Sequence, residues 1–598
     1  MKRIIIALAV AVTCLTSCDD MLNKYPKSEL TPETYFRNET DLMLFSNPLY
    51  NNLLDKNVWG HQSDQYLQSN LSSLLQGGSS RQVPVSGGGW SWSNLRRINI
   101  LLGNINNCSD EKVRNKYIGV GKFFRAKFYF DMVKTFGDVP WIDKELGSSD
   151  AQLYAPRDNR EVVLTHMLED IDEAIEYLPK DVTPYRLNRW SALMLKADFC
   201  LFEGTFRKYH QGRMTFEGNS AEYYLDLAAK AAEEVMNSGL YSLYSTGKPE
   251  EDYVNLFAKE DANVQEYILA RKYSSTVQVF HDATGYIFMA SHGKPGMNKK
   301  IVDSYLMRDG SRFTDKEGWQ TMQFAAEVEG RDPRLAQTIR TPGYKMINAR
   351  VKTSVDFSTT VTGYQPVKFA MSADNEKAFQ NNQSTNDLPI YRYAEALLIF
   401  AEAKAELGTL TQTDLDNSIN LLRKRVGMKD MVLTTCNSNP DVNYLLNPEY
   451  GYSHITGDNA GVIAEIRRER TVELAQEGNR RWDDLLRWRE GMCNAQPIYG
   501  QYFPHLGAFD IDGDDVYDIY LYDDTMDPKK SGVDKEKWIK VGTDNYLSNG
   551  TSGYLEPFQN ITRSFNEERD YFYPIPIGER TKNHNLTQNP GWDDNLDF

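Results

Sequence analysis

Positive charge, paired cysteines, histidine clusters and long apolar runs are all scarce in this chain of 598 residues. Its 67 Lys and Arg are outnumbered by 83 Asp and Glu, which leaves a net charge of −16. A chain this acidic lacks the basic footprint that neutralises phosphate backbones, which excludes nucleic acid as a partner. It also disfavours strongly anionic ligands. The 6 Cys share no CxxC spacing, so a zinc site is not indicated. Cys108, Cys200, Cys436 and Cys493 are far apart and read as isolated thiols, with a disulfide among them left open. The 8 His form no HExxH motif and no i, i+4 pair. There is no GxSxG elbow and no GKS or GKT phosphate loop. Gly87, Gly88 and Gly89 have neither a strand before them nor a Lys after them, and read as a loop presenting Trp90 and Trp92. The one extended apolar run, residues 4–15, is too short for a bilayer span of about 20 residues.

That run follows Lys2 and Arg3 and ends in Leu15, Thr16, Ser17 and Cys18. A positive segment, a short apolar segment and a small-residue cleavage site make a signal peptide. Cys immediately after the cleavage site resembles the lipobox of bacterial lipoproteins, in which the Cys is acylated and becomes the first mature residue. The expected layout is a signal peptide at 1–17 and a lipidated tether at 18–40. A helical region follows at 41–240, with a C-terminal region at 241–598 packed on it. Asp19 and Asp20 resemble the surface-export signals of some Gram-negative lipoproteins.

Apolar periodicity and capping residues predict helices at 92–107, 110–136, 161–178, 188–206 and 221–237. Ala192, Leu195, Phe199 and Phe202 form one buried stripe in the fourth. Residues 240–389 read as mixed short strands with Gly and Pro breaks. Helices resume at 391–407, 413–426 and 461–488, before a Tyr-, Asp- and Gly-rich final hundred residues with a strand at 519–522. Paired antiparallel helices with Ala-rich seams suggest an all-α, tetratricopeptide-like α–α superhelix with an irregular, loop-rich C-terminal half.

Five segments, in order, are similar to the SusD/RagB family of surface lipoproteins. The first is Gly121, Lys122, Phe123, Phe124, Arg125 and Ala126, continuing to Gly137, Asp138, Val139 and Pro140. The second is Arg331, Asp332, Pro333, Arg334 and Leu335. The third runs from Tyr391, Arg392 and Tyr393 to Ala401, Glu402 and Ala403. The fourth runs from Ile466, Arg467, Arg468, Glu469 and Arg470 to Arg487 and Trp488. The fifth is Tyr573, Pro574, Ile575 and Pro576, closing with Asn589, Pro590, Gly591 and Trp592. The resemblance implies four tetratricopeptide-like helix pairs and a non-enzymatic, lipid-anchored protein of the outer membrane, exposed at the cell surface. It implies capture of oligosaccharides for a SusC-like, TonB-dependent outer-membrane β-barrel. One branch of the family binds peptides, so peptide capture is the alternative, with a surface glycosidase the third reading.

Glu465, Glu469, Glu473 and Glu477 recur every four residues on one helix face. They could be paired carboxylates for glycoside hydrolysis; a salt-bridge network docking the helix is the simpler reading, with Arg470, Arg480, Arg481 and Arg487 as counter-charges. Asp510, Asp512, Asp514 and Asp518 stand at positions 1, 3, 5 and 9 of a candidate structural Ca²⁺ loop. Against it, Asp515 replaces the Gly expected at position 6 and Leu521 the Glu at 12. No other cofactor is indicated. A glycan site needs aromatic platforms with a few polar side chains. Two loop regions supply them: Asp64, Tyr66, Trp90 and Trp92 before the first long helix, and Arg271, Tyr273, Tyr286 and Trp319 in the middle region.

Overall fold

The helices of the body are bounded by local signals in the sequence. α1 (Ser93–Asn104) leads into α2 (Glu111–Phe136), where the Asp110 carboxylate accepts the Val113 N–H and Gly137 at φ 75° ends the helix. α3 (Arg160–Tyr177) is followed by α4 (Arg189–His210), opened by a reciprocal capping box of Asn188 and Ser191. α5 (Ala221–Asn237) starts where the Ser220 hydroxyl accepts the Tyr223 N–H. The expected stripe of Ala192, Leu195, Phe199 and Phe202 is buried. Each helix packs on the next from α1 to α5. Gly204 lets α4 and α5 approach closely: a Cβ there would sit 2.7 Å from the Leu225 side chain. The computed structural model describes residues 35–54, 58–60 and 63–598. The expected signal peptide, the Cys18 acylation site and the tether as far as residue 34 lie outside the described residues.

Of the described residues, 42% are helix and 8% strand. α5 packs on α6 (Tyr393–Glu406), α6 on α7 (Ala460–Glu473), and α8 (Arg480–Arg487) returns to α4. One hydrophobic core therefore runs through both halves, from Phe36 to Leu586. The strands are short and paired far along the chain. β1 (Tyr66–Leu67) pairs with β3 (Gly296–Met297), and β2 (Tyr267–Arg271) with β4 (Leu388–Arg392), both antiparallel. β5 (Tyr502–Phe503) pairs with β9 (Gly553–Tyr554). β6 (Gly507–Phe509), β7 (Ile519–Tyr522) and β8 (Trp538–Lys540) form one small sheet, with β7 and β8 parallel.

Three expected helices differ. Tyr391 and Arg392 belong to β4, because Tyr267 and Leu269 supply a ladder that a helix there would forgo. The segment 413–426 is two short helices, Gln412–Asp416 and Ile419–Arg425. The segment 461–488 breaks between α7 and α8, where Gln476 and Gly478 both take left-handed backbone, φ 64° and 66°. The four described cysteines are free and buried, and burial pushes the Cys436 and Cys493 thiols up to about 11.

The acidic stripe on α7 is an ion-pair network, but its cations are not the expected ones. Arg470 pairs with Asp484, Arg480 with Glu395, Arg481 with Asp64, and Arg487 with Glu402 and Asp484. The stripe is instead met from other segments. Arg334 reaches Glu469 at 2.6 Å and Glu473 at 3.0 Å; Arg392 and Arg425 each reach Glu473 at 2.7 Å; Lys368 reaches Glu477 at 2.6 Å. Glu465 is met within its own helix by Arg468 at 2.9 Å and also by Arg312; Glu469, Glu473 and Glu477 are compensated across the core, so like charges at i, i+4 are tolerated.

Candidate functional site

The eight ligand residues expected from the sequence do not form one site. Asp64 is buried, with its carboxylate held by Arg481 and by Lys300, each at 2.8 Å. Burial alone would raise its pKa, but those two cations hold it well below the usual carboxylate range. Tyr66 is buried in β1, and its ring lies 6.4 Å from that of Tyr286, also buried. Tyr273, half-buried, joins the edge of the same cluster through His281 at 4.5 Å. Arg271 donates to the Asn51 side chain at 2.7 Å. Trp90 is buried edge-on against Phe136 at 4.9 Å, beside the half-buried Trp92. Trp319 is buried against Tyr444. Asp64, Tyr66, Tyr286 and Trp319 thus have their polar or aromatic surface met by protein, while Trp90 and Trp92 line a separate cleft of about 480 Å³ with Leu146 and Tyr154. The loops that carry them are folded down onto the body, so Gly and Pro punctuation did not mean exposure.

A different cleft, of about 890 Å³, draws on three parts of the chain at once. Ser69 of the N-terminal loop and Lys294 of the middle region stand at one end, residues 353–361 form a wall, and β8 with its flanking loops forms the other. The regions are tied together: Ser69 N–H donates to Gly293 O at 2.7 Å, Val361 N–H to Lys294 O at 3.2 Å, and the Asn545 side-chain amide to Val361 O at 3.4 Å. Two half-buried rings, Phe357 and Trp538, face this space. The Trp538 indole N–H donates to Val533 O at 2.8 Å, which fixes the ring's orientation from outside the cleft. Phe357 is braced by Phe503 at 6.3 Å.

Around the rings stand neutral, acidic and basic groups, among them Ser358, Asn545, Asp356, Asp544 and Lys537. Asp356 accepts the Ser358 N–H and Asp544 the Lys540 N–H, both at 2.9 Å, so each keeps lone pairs free for a second donor. Thr360 also lines the cleft; it is 3% exposed, and among the described residues its hydroxyl finds no hydrogen-bond partner. A buried hydroxyl without a partner costs about 1–3 kcal/mol; the Thr360 oxygen is turned toward Gly296 of β3 and has no surface open to the cleft. Two rings of fixed orientation amid hydroxyl, amide and carboxylate groups form a surface for a flat, polyhydroxylated molecule. Trp538 escaped the sequence reading because its exposure depends on the parallel β7–β8 pairing, Tyr520 to Trp538, which no local pattern announces.

The acidic loop adjoins this cleft. Carboxylate oxygens of Asp510, Asp512 and Asp514 lie within 4.8 Å of one another. One Asp512 oxygen is buried without a partner among the described residues. Burial, then repulsion from Asp518, Asp514 and Asp510, raises the Asp512 pKa. Asp518 does not join the triad: it accepts the Ile511 N–H at 2.8 Å and lines the cleft instead. Asp515 takes φ 67°, the backbone expected of the missing glycine, while Leu521 is fully buried in β7 and offers no ligand.

Two family models match the chain: the SusD family over residues 265–592, and a model described as starch-binding associating with outer membrane over residues 36–208. A SusD-like protein of Formosa agariphila, P2, is 23% identical over 99% of this chain and 100% of its own length. A SusD-like carbohydrate binding protein of Bacteroides fragilis superposes with a TM-score of 0.65 at 20% identity, covering 93% of this chain and 100% of that one. A structure with a xylogluco-oligosaccharide superposes with a TM-score of 0.57 at 18% identity, again covering 93% and 100%.

Proposed function

The chain belongs to the SusD family, and from that premise we propose that it is a non-catalytic, lipid-anchored protein of the outer membrane surface. In this reading it captures neutral oligosaccharides and delivers them to a SusC-like, TonB-dependent β-barrel. The observation that carries the ligand class is the 890 Å³ cleft, with Trp538 and Phe357 among polar groups. Sugars present flat C–H faces ringed by hydroxyls, which these two kinds of group match. The carbohydrate named for two structural relatives supports the same class. The test is calorimetric titration of the protein lacking residues 1–18 with neutral oligosaccharides and, separately, with peptides. Saturable oligosaccharide binding, with the sugar recovered intact, is expected. Binding of peptides alone moves the protein to the peptide branch, and hydrolysis products make it an enzyme.

Cys18 carries the anchor in this reading, and among the described residues no helix is long and apolar enough to cross a membrane. Cys18→Ala in cells lacking the β-barrel partner is therefore expected to move the protein from the outer-membrane pellet to the soluble fraction. Retention in the pellet counts against the anchor.

The Asp510, Asp512 and Asp514 loop is the proposed structural Ca²⁺ site, because a divalent cation would relieve the repulsion that raises Asp512. Added Ca²⁺ is expected to raise the Tm and EDTA to reverse it, by about 2.7 kcal/mol of linkage at a hundredfold excess over Kd. Asp512→Asn is expected to remove the response while stabilising the Ca²⁺-free protein slightly. A Tm indifferent to both additions makes the loop an acidic turn.

A further inference from the structure

A second aromatic surface lies beside the cleft, built by three distant segments. Tyr499 stacks on Tyr554 at 4.7 Å and 26°, and Tyr502, the β-ladder partner of Tyr554, meets it edge-on at 5.6 Å. Tyr450 stacks on the buried Tyr444 at 5.6 Å and 13°, and Trp319 stands edge-on to both. The two groups are joined. The Tyr554 hydroxyl donates to Gln320 O at 2.5 Å, and the Lys299 ammonium lies 5.8 Å from both the Trp319 and the Tyr554 ring centres.

Tyr450, Tyr499, Tyr502 and Tyr554 are all half-buried, so each ring is braced on one side and open on part of the other. Grouped on one rigid mount, these partly open rings form a continuous aromatic face. The charges of Glu556, Glu449 and Arg563 stand close enough to act on the Tyr499 phenol. They give the patch a polar rim of mixed sign, which suits a neutral, hydroxylated ligand better than an ion or an acyl chain.

Position ties this patch to the cleft. Tyr554 belongs to the patch, and Pro557 and Phe558 line the cleft. Pro557 is three backbone steps from Tyr554, at most about 11 Å of chain. We infer that the Tyr450, Tyr499, Tyr502 and Tyr554 face is a second stacking subsite, and that the ligand is an oligosaccharide long enough to occupy cleft and patch together. This rests on the glycan reading of the cleft. Tethering the second contact to the first makes it intramolecular, so affinity should climb steeply once the chain spans both.

The test is titration with malto-, cello-, xylo- and laminari-oligosaccharide ladders, from disaccharide to octasaccharide, against wild type, Tyr499→Ala, Tyr450→Ala and Trp538→Ala. In the ladder that binds, wild-type affinity should rise by about tenfold or more between the short and long members. Tyr499→Ala and Tyr450→Ala should erase that rise and leave the short members unchanged. Trp538→Ala should weaken all lengths. Tyr499→Phe, which keeps the ring, should behave as wild type, and this variant separates stacking from loss of fold. Affinity independent of length, or equal loss at every length in the tyrosine variants, overturns the subsite. Failure of every ladder to bind overturns the glycan reading and this inference with it.

Discussion

Glu473→Gln is expected to destabilise the folded chain by about 3–5 kcal/mol, the cost of leaving a buried charge cluster uncompensated. Glu473 is fully buried and receives three guanidiniums. Arg392 and Arg425 reach it at 2.7 Å and Arg334 at 3.0 Å. Its backbone oxygen accepts the Tyr253 hydroxyl at 2.6 Å and a second Arg392 N–H at 2.8 Å, so side chain and main chain are both committed. Neutralising it leaves three buried cations sharing Glu266, Glu469, Glu477 and Asp332. By contrast Asp226→Asn, which breaks an exposed pair with Lys230, should cost less than about 1 kcal/mol. Denaturant titration of the two variants at one pH compares them directly.

The pH dependence has a definite sign. Burial opposes ionisation of Glu473, but Arg425, Arg392 and Arg334 overcome it and hold the carboxyl far below the usual range. A carboxyl depressed in the folded state contributes stability above its unfolded pKa of about 4.3. That contribution is lost as pH falls toward the folded value. The gap between wild type and Glu473→Gln should therefore be constant from neutral pH down to about 5 and narrow below it. A gap already closing between neutral pH and 5 would mean that the cluster is not held by Glu473 ionisation.

The network shows where sequence reading stops. Elements whose ends are written locally were legible: α5 has Ser220 at its start and an Ala-rich face, and β7 alternates between turns. The acidic period on α7 was legible as a charged face, yet its partners Arg334, Arg392, Arg425 and Lys368 lie between 48 and 139 residues away for those bonded to Glu473, and 109 away for Lys368 and Glu477. Nearby Arg470 and Arg487 were the natural choice, and both turn to Asp484 instead. The same limit governed the site. Aromatic residues in loops were visible, but which rings keep an open face is set by how loops close over the body. Tyr286 and Trp319 were covered, while Trp538 and the four open tyrosines were mounted by strand pairing and stacking between distant segments. The resemblance located the family; it did not locate the rings.

Trp538→Ala is expected to lower oligosaccharide affinity by about thirtyfold, the loss of about 2 kcal/mol typical of an anchoring aromatic residue in an interface. Its ring is half-buried on a short sheet, and its indole N–H is satisfied at Val533, so truncation removes a ligand-facing surface more than a core contact. Phe357→Ala on the opposite wall should act in the same direction. Thr360 supplies the control. Its hydroxyl is buried toward Gly296 and has no protein partner among the described residues. Thr360→Val keeps the shape and removes only that hydroxyl, so the free protein should hold its Tm or gain slightly and its affinity should not change.

The most direct measurement is therefore calorimetric titration of wild type, Trp538→Ala and Thr360→Val with one bound oligosaccharide, with the Tm of each free protein recorded alongside. A glycan-binding cleft predicts an affinity loss of about thirtyfold for Trp538→Ala and none for Thr360→Val, whose hydroxyl is closed off from the cleft, with both Tm values close to wild type. Unchanged affinity in Trp538→Ala, or a loss of Tm without loss of affinity, would contradict it.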